Sequence, residues 1–177
     1  TEERNGGYEL ELVYPITGQH YAALALRALI RAKPNPAGSE QDFRIYKISR
    51  PIGGQVTVNA QHISYDLSGV PVSPFSAQNA PAALAGLKAH AAAECPFDFW
   101  TDLSTTAAFA VSVPSSIRSL LGGVEGSILD VYGGEYEWDN TTVKLHARRG
   151  TDRGVTIRYG KNLTDLTQEE NCADVYT

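Results

Sequence analysis

The side chains capable of chemistry are few and scattered. Four histidines, His20, His62, His90 and His146, fall on separate predicted elements. No HxH or HExxH spacing sets two of them on one face, as a metal site requires. His62 and His146 lie on predicted strands, where a single histidine is more often a hydrogen-bonded or surface group than a ligand. Glu135, Glu137 and Asp139 are carboxylates of the kind a glycosidase uses as acid and base. They alternate with Tyr136 and Trp138, so the simpler reading is the wet face of a strand whose other face is aromatic. Nucleophilic catalysis finds no GxSxG elbow, and Cys95 stands before Pro96 with only His90 of its own helix nearby. Cys95 and Cys172 have no CxxC spacing, so two free, mostly buried thiols are expected. Gly122-Gly123-Val124-Glu125-Gly126 precedes an apolar strand pattern, whereas a phosphate loop would need Gly-Lys-Ser/Thr opening a helix. The residues therefore predict no catalytic group, no cofactor and no metal.

One charged cluster remains, the loop Arg148-Arg149-Gly150-Thr151-Asp152-Arg153-Gly154. Its three arginines either pair with carboxylates on a partner or hydrate a loop tip; partner contact is the reading preferred here. Asn140-Thr141-Thr142 and Asn162-Leu163-Thr164 match the glycosylation sequon, but no secretory signal accompanies them, and chance accounts for the match. The formal net charge of -5 disfavours a nucleic-acid surface, since neutralising phosphates needs a basic face. No run approaches the ~18 apolar residues of a membrane helix, because Gly86, Lys88 and His90 interrupt the alanine-rich stretch. With 177 residues and 42% hydrophobic content, the chain can bury a real core.

The elements that would position these residues are mixed. Tyr8, Leu10, Leu12 and Tyr14 alternate with Glu9 and Glu11, the pattern of a half-buried strand. Propensity alone makes Gln19 to Ala32 a helix, stopped by Pro34 and Pro36. Phe43 to Ser49 and Gln55 to Ala60 read as a hairpin around Pro51-Ile52-Gly53-Gly54. A connector follows, rich in Gly, Pro and Ser from Gly69 to Ser76. Asn79 caps a helix with Pro81 in its first turn, running through Glu94, with Leu84 and Leu87 facing a sheet. Phe97 to Leu103 and Ala107 to Val113 read as a strand pair, and Ser115 to Leu121 as a short helix closed by Gly122-Gly123. Ile128 to Tyr132, Glu135 to Trp138, Thr141 to Ala147 and Val155 to Tyr159 read as a meander of short antiparallel strands. The fold class is α+β, mainly antiparallel β: a first β-rich subdomain (1–70), a connector and helix (71–96) and a second β-rich subdomain (97–177).

Two blocks carry a resemblance. FRIYKISRPIGGQVTVNAQHISYDLSGVPVSPFSA, from Phe43, and SIRSLLGGVEGSILDVYGGEYEWDNTTVKLHARRGTDRGVTIRYGKNLTDLTQEEN, from Ser116, stand in the order of the N-terminal hub region of phage minor structural proteins. These are also called prophage endopeptidase tail or tail-associated lysin proteins, and the sequence resembles them from Tyr8 to Glu170. The resemblance implies a domain similar to the baseplate hub of contractile-tailed phages, with two β-barrel-like subdomains per protomer assembling as a homotrimer. It implies a virion tail-tip location after synthesis in the bacterial cytoplasm, with the distal tail protein and other tail-tip proteins as partners. No catalytic residue carries over, and any endopeptidase belongs to later domains, so a structural role is expected; the chain reads as a fragment, stopping where the family continues. The family pattern also replaces the helix at 19–32 with a short helix near Gln19 to Ala23 and a strand through Ala28 to Ala32. Arg148, Arg149, Arg153, Tyr136 and Trp138 are the interface residues expected, because charged loops and aromatic strand faces serve ring contacts. A cell-wall hydrolase, peptidase or glycosidase, and a glycan-binding module using Tyr136, Trp138 and Glu137 are the alternatives.

Overall fold

The alternation at the N-terminus becomes β1 (Glu9–Pro15), and the chain continues through β2 (Leu29–Ala32), β3 (Gln41–Ile48) and β4 (Gln55–His62). The computed structural model describes residues 1–35, 38–150, 154 and 156. These four strands form one antiparallel sheet, a half-barrel in the order β1-β4-β3-β2. Gly53 and Gly54 both have positive φ, 61° and 77°, between the bridged residues Ile52 and Gln55. Such a turn twists with its strands, which fixes the register of the hairpin.

The segment from Gln19 to Ala32 is not a helix. Only Tyr21–Ala23 makes a single 3-10 turn, and Leu29–Ala32 pairs with β3. Ala28, Ile30 and Ala32 are half-buried while Leu29 and Arg31 are exposed, so the pattern that decides here has period two. Pairing in the sheet overrides helix propensity, as the resemblance led us to expect.

A second 3-10 segment (Ile63–Gly69) leads into the region read as a connector, which is in fact structured. It holds β5 (Pro71–Val72) and β6 (Phe75–Asn79), which pair with residues far along the chain. Helix α1 (Ala80–Ala89) follows, with the Asn79 side chain accepting from the Ala82 amide at 2.9 Å. It ends before the predicted Glu94. The His90 ring stacks on Phe75 at 4.9 Å, and the His90 carbonyl and Ala92 amide bond back to Ser73 and Pro71. Leu84 and Leu87 are buried, as expected.

Strands β7 (Asp98–Thr101) and β8 (Thr106–Val111) exist but do not pair with each other. β8 pairs with β6, and β7 lies parallel to β11. Two-residue β9 (Ser115–Ser116) pairs with β5 and runs into α2 (Ile117–Leu121), capped by Ser116. The predicted strand Ile128 to Tyr132 is instead helix α3 (Ile128–Tyr132). Ser127 accepts from the Asp130 amide at 3.4 Å, and the Asp130 carboxylate accepts from the Gly126 amide at 2.8 Å. That Ser-x-x-Asp cap, with the carboxylate reaching back to the amide before the serine, outweighs the β-branched residues it precedes. β10 (Glu135–Asp139) and β11 (Thr142–His146) form a tight hairpin, and β7 beside β11 makes the three-stranded sheet mixed, not an antiparallel meander. The strand predicted at Val155 to Tyr159 lies outside the described residues, as does Cys172. The fold is thus α+β and mainly antiparallel. One hydrophobic cluster runs from Tyr8, Phe43 and Val58 through Leu84, Leu87 and Phe109 to Tyr136 and Leu145, so first sheet, helices and last sheet share a core.

Candidate assembly surface

Side chains alternate across the β10-β11-β7 sheet, and the two faces have opposite chemistry. Tyr136, Trp138, Val143 and Leu145 point inward and are buried. The Tyr136 hydroxyl donates to the Leu121 carbonyl at 2.8 Å, and its ring stacks on Trp138 at 5.1 Å. Both aromatics therefore belong to the core, and neither stands on the outward face of the sheet. Arg149 is held within the chain: its Nη1 donates to the Tyr136 carbonyl at 2.8 Å, its amide donates to Glu135, and Glu2 lies 3.6 Å away. Arg148 is exposed, and Arg153 lies outside the described residues. Of the four expected interface residues that are described, Tyr136 and Trp138 are interior while Arg148 and Arg149 are exposed, so these four do not share one surface.

The outward face carries Glu137, Lys144, His146 and Trp100, around an open hollow of about 360 Å³. Burial pushes the Glu137 carboxyl up, but hydrogen bonds from Lys144 at 3.0 Å and His146 at 2.8 Å outweigh it and hold the group below the usual carboxylate range. Asp139 is lowered too, by hydrogen bonds from Gln41 foremost, then Ser39 and Lys144. A glycosidase acid needs a raised pKa, so both carboxylates are tuned the wrong way for that role. The exposed tryptophan here is Trp100, 47% accessible, a residue that the sequence reading passed over. Asp98-Phe99-Trp100-Thr101 has no polar and apolar alternation to mark its faces: Phe99 and Thr101 turn inward, and Asp98 and Trp100 are exposed.

Apolar exposure is concentrated elsewhere. Of the nine large hydrophobic side chains exposed among the described residues, six belong to the first sheet and its loops: Val13, Ile16, Leu26, Leu29, Tyr46 and Ile52. Ile52 is 82% exposed at the tip of the β3–β4 hairpin, and the Ile16 amide bonds to Gly54 of that tip at 3.0 Å. Leu26 adjoins Arg27, whose amide bonds to Ile45 beside Tyr46. The β3 register shifts between Ile45 and Lys47, and Tyr46 sits at that bulge. Val13 and Leu29 stand on opposite edge strands of the sheet, and Ile16 with Ile52, and Leu26 with Tyr46, lie nearer one another along the backbone. Among the described residues β1 and β2 are the edge strands of this sheet, and Thr1 pairs with Glu9 at the start of β1.

Beneath this sheet lies a buried polar chain. His62 accepts from the Ser64 amide through Nδ1 at 3.2 Å, which leaves Nε2 to donate to Gln41 Oε1 at 3.1 Å. Gln41 Oε1 also accepts from the Asn140 amide at 2.7 Å, and Gln41 Nε2 donates to Ser39 and to Asp139. Asn140 in turn accepts from the Asp42 amide and donates to the Glu40 carbonyl. The chain of bonds ties β3 and β4 to the turn of the β10–β11 hairpin. It fixes the first sheet against the last one.

No protein-family model matches the sequence, and no curated protein does. Among solved structures, the fold is similar to that of the prophage tail protein gp18 from Listeria monocytogenes EGD-e, with a TM-score of 0.66 at 16% sequence identity. The likeness covers 91% of this chain and 48% of that one, so the chain spans about half the length of the protein it matches. What the two share, over nearly the whole of the present chain, is the fold.

Proposed function

We propose that this chain is a structural component of a phage or prophage tail, a hub domain that links the tail tube or distal tail ring to downstream fibre or lysin modules. The observation that carries the reading is the fold similarity to a prophage tail protein across 91% of the chain. The resemblance in sequence blocks from Phe43 and from Ser116 points the same way. In this reading the protein is a homotrimer in its full-length form, sits at the tail tip, and has no catalytic role of its own. The apolar groups on the first sheet, Leu26, Leu29, Tyr46 and Ile52, are the contact residues.

Light scattering across a concentration series tests it. A trimer that Leu26→Asp with Ile52→Asp converts to monomer, with unchanged circular dichroism, is the expected result. Monomer at every concentration, both alone and mixed with the distal tail protein, overturns the assembly reading. Host-glycan binding is the second reading, favoured by one observation, the half-exposed Trp100 beside Glu137 and Lys144. A glycan array on wild type and Trp100→Ala separates the two.

A further inference from the structure

Arg118 stands apart from the other described arginines. Arg4, Arg31, Arg44 and Arg149 have carboxylate partners, and Arg27, Arg50 and Arg148 are exposed. The guanidinium of Arg118, on α2, is largely covered by protein and has no carboxylate within ion-pair distance among the described residues. Its carbon lies 4.5 Å from the Tyr65 ring centroid and 4.4 Å from that of Trp138. Aromatic contacts of this kind cover guanidinium faces and leave the N–H edge as the polar part. Its hydrogen bonds among the described residues go to hydroxyls, not carboxylates: Nη1 donates to Ser64 Oγ at 3.4 Å, and the Tyr65 side chain is a further partner. Five donors thus meet neutral oxygens and no carboxylate among the described residues.

The edge opens on a cavity of about 220 Å³, lined also by Asn5, Gly122, Gly123 and Leu129. Gly123, with φ of 93°, has nothing within 4 Å of where a Cβ would stand, which keeps the wall open. The other polar groups of the wall are occupied: Asn5 donates to the Gly134 carbonyl and accepts from the Tyr136 amide, and the Tyr136 hydroxyl is bonded to Leu121. The guanidinium is the one charged side chain among the described residues that line the cavity. Burial lowers the Arg118 pKa from its usual value, and the nearby charge helps keep His62 neutral. The chain has five more acids than bases, 20 against 15, yet none of the described carboxylates pairs with this half-buried cation.

We propose that this pocket binds a single carboxylate, seated edge-on against Arg118 with its carbon stem between Tyr65, Trp138 and the Gly122-Gly123 loop. The volume is below the roughly 300–1,000 Å³ of drug-sized sites and fits a side chain or one sugar, not an oligosaccharide or a nucleotide. Carboxylate is favoured over a bare ion because the apolar wall needs a stem to cover it. The source is either an acidic side chain of a neighbouring protein or a free acidic sugar.

The test uses the full chain with Trp100→Phe, which leaves Trp138 as the one tryptophan, since the sequence has two. Glucuronate, N-acetylglutamate amide and sodium chloride are titrated separately while Trp138 emission is followed. Saturable change with either organic acid, and at least ten-fold weaker with Arg118→Lys, is the expected result; the stronger of the two acids names the source. Arg118→Lys keeps the charge, and its folding is checked by circular dichroism. Arg118→Gln serves if the lysine variant does not fold. A response to chloride equal to that of the acids, or none to either acid, overturns the proposal. These outcomes do not depend on whether the chain trimerises.

Discussion

Lowering the pH from 7 to 5 destabilises this protein through one residue, His62. The ring is fully buried, stacked on Tyr8 at 4.7 Å, with Phe43 edge-on at 5.7 Å. Burial foremost, then the Arg118 charge, push its pKa down from 6.5 to about 4, against the weaker pull of Asp42, Asp139 and Asp66. The unfolded chain therefore takes up a proton near pH 6.5, while the folded chain resists until about pH 4. Stability supplied by the neutral ring is full above pH 6.5 and is lost as pH falls through that window. At ~1.4 kcal/mol per pKa unit the whole shift is worth about 3 kcal/mol, of which about 2 kcal/mol is gone by pH 5. The lowered carboxylates of Asp42, Glu137 and Asp139 act in a lower window, below about pH 4.5, so the two effects separate. Urea unfolding of wild type and His62→Gln at pH 7, 6 and 5 measures it. The variant is less stable throughout but loses ~2 kcal/mol less between pH 7 and 5. Parallel losses in the two proteins would refute the reasoning, because the titrating group would then lie elsewhere.

Two further substitutions test the packing that positions the surface. Gly86→Ala, which gains ~1 kcal/mol of helix propensity, destabilises on balance by about 1–2 kcal/mol, because the new Cβ collides with the Phe75 ring. The same change in a Phe75→Ala background is neutral or stabilising, and thermal unfolding of the four proteins reads the coupling. Asn79→Ala removes the acceptor for the Ala82 amide and costs about 1 kcal/mol in chemical denaturation, whereas Asn79→Ser costs much less.

The sequence by itself determined whatever depends on neighbours along the chain. The β1 alternation, the Gly53-Gly54 turn and the Asn79 cap with Pro81 each act within a few residues, so their chemistry is visible locally. The Ser127-x-x-Asp130 cap was legible too, but a β-branched run hid it. Tertiary structure alone decided partners. β7 and β8 look like a hairpin because they are adjacent, yet β6 and β11 take them, since backbone pairing and burial are satisfied by whichever strand the packed core brings near. The same holds for the sites. Tyr136 and Trp138 alternate with acids in either reading, and only the packing of α2 beneath their sheet says which face is interior. Arg118 sits between Ile117 and Ser119 with no charged neighbour to mark it, and its place beside Tyr65 and Trp138 arises from residues 53 positions before it and 20 after. Burial and electrostatics are properties of the assembled fold, which is why the carboxylate pocket and the neutral His62 could be read only there.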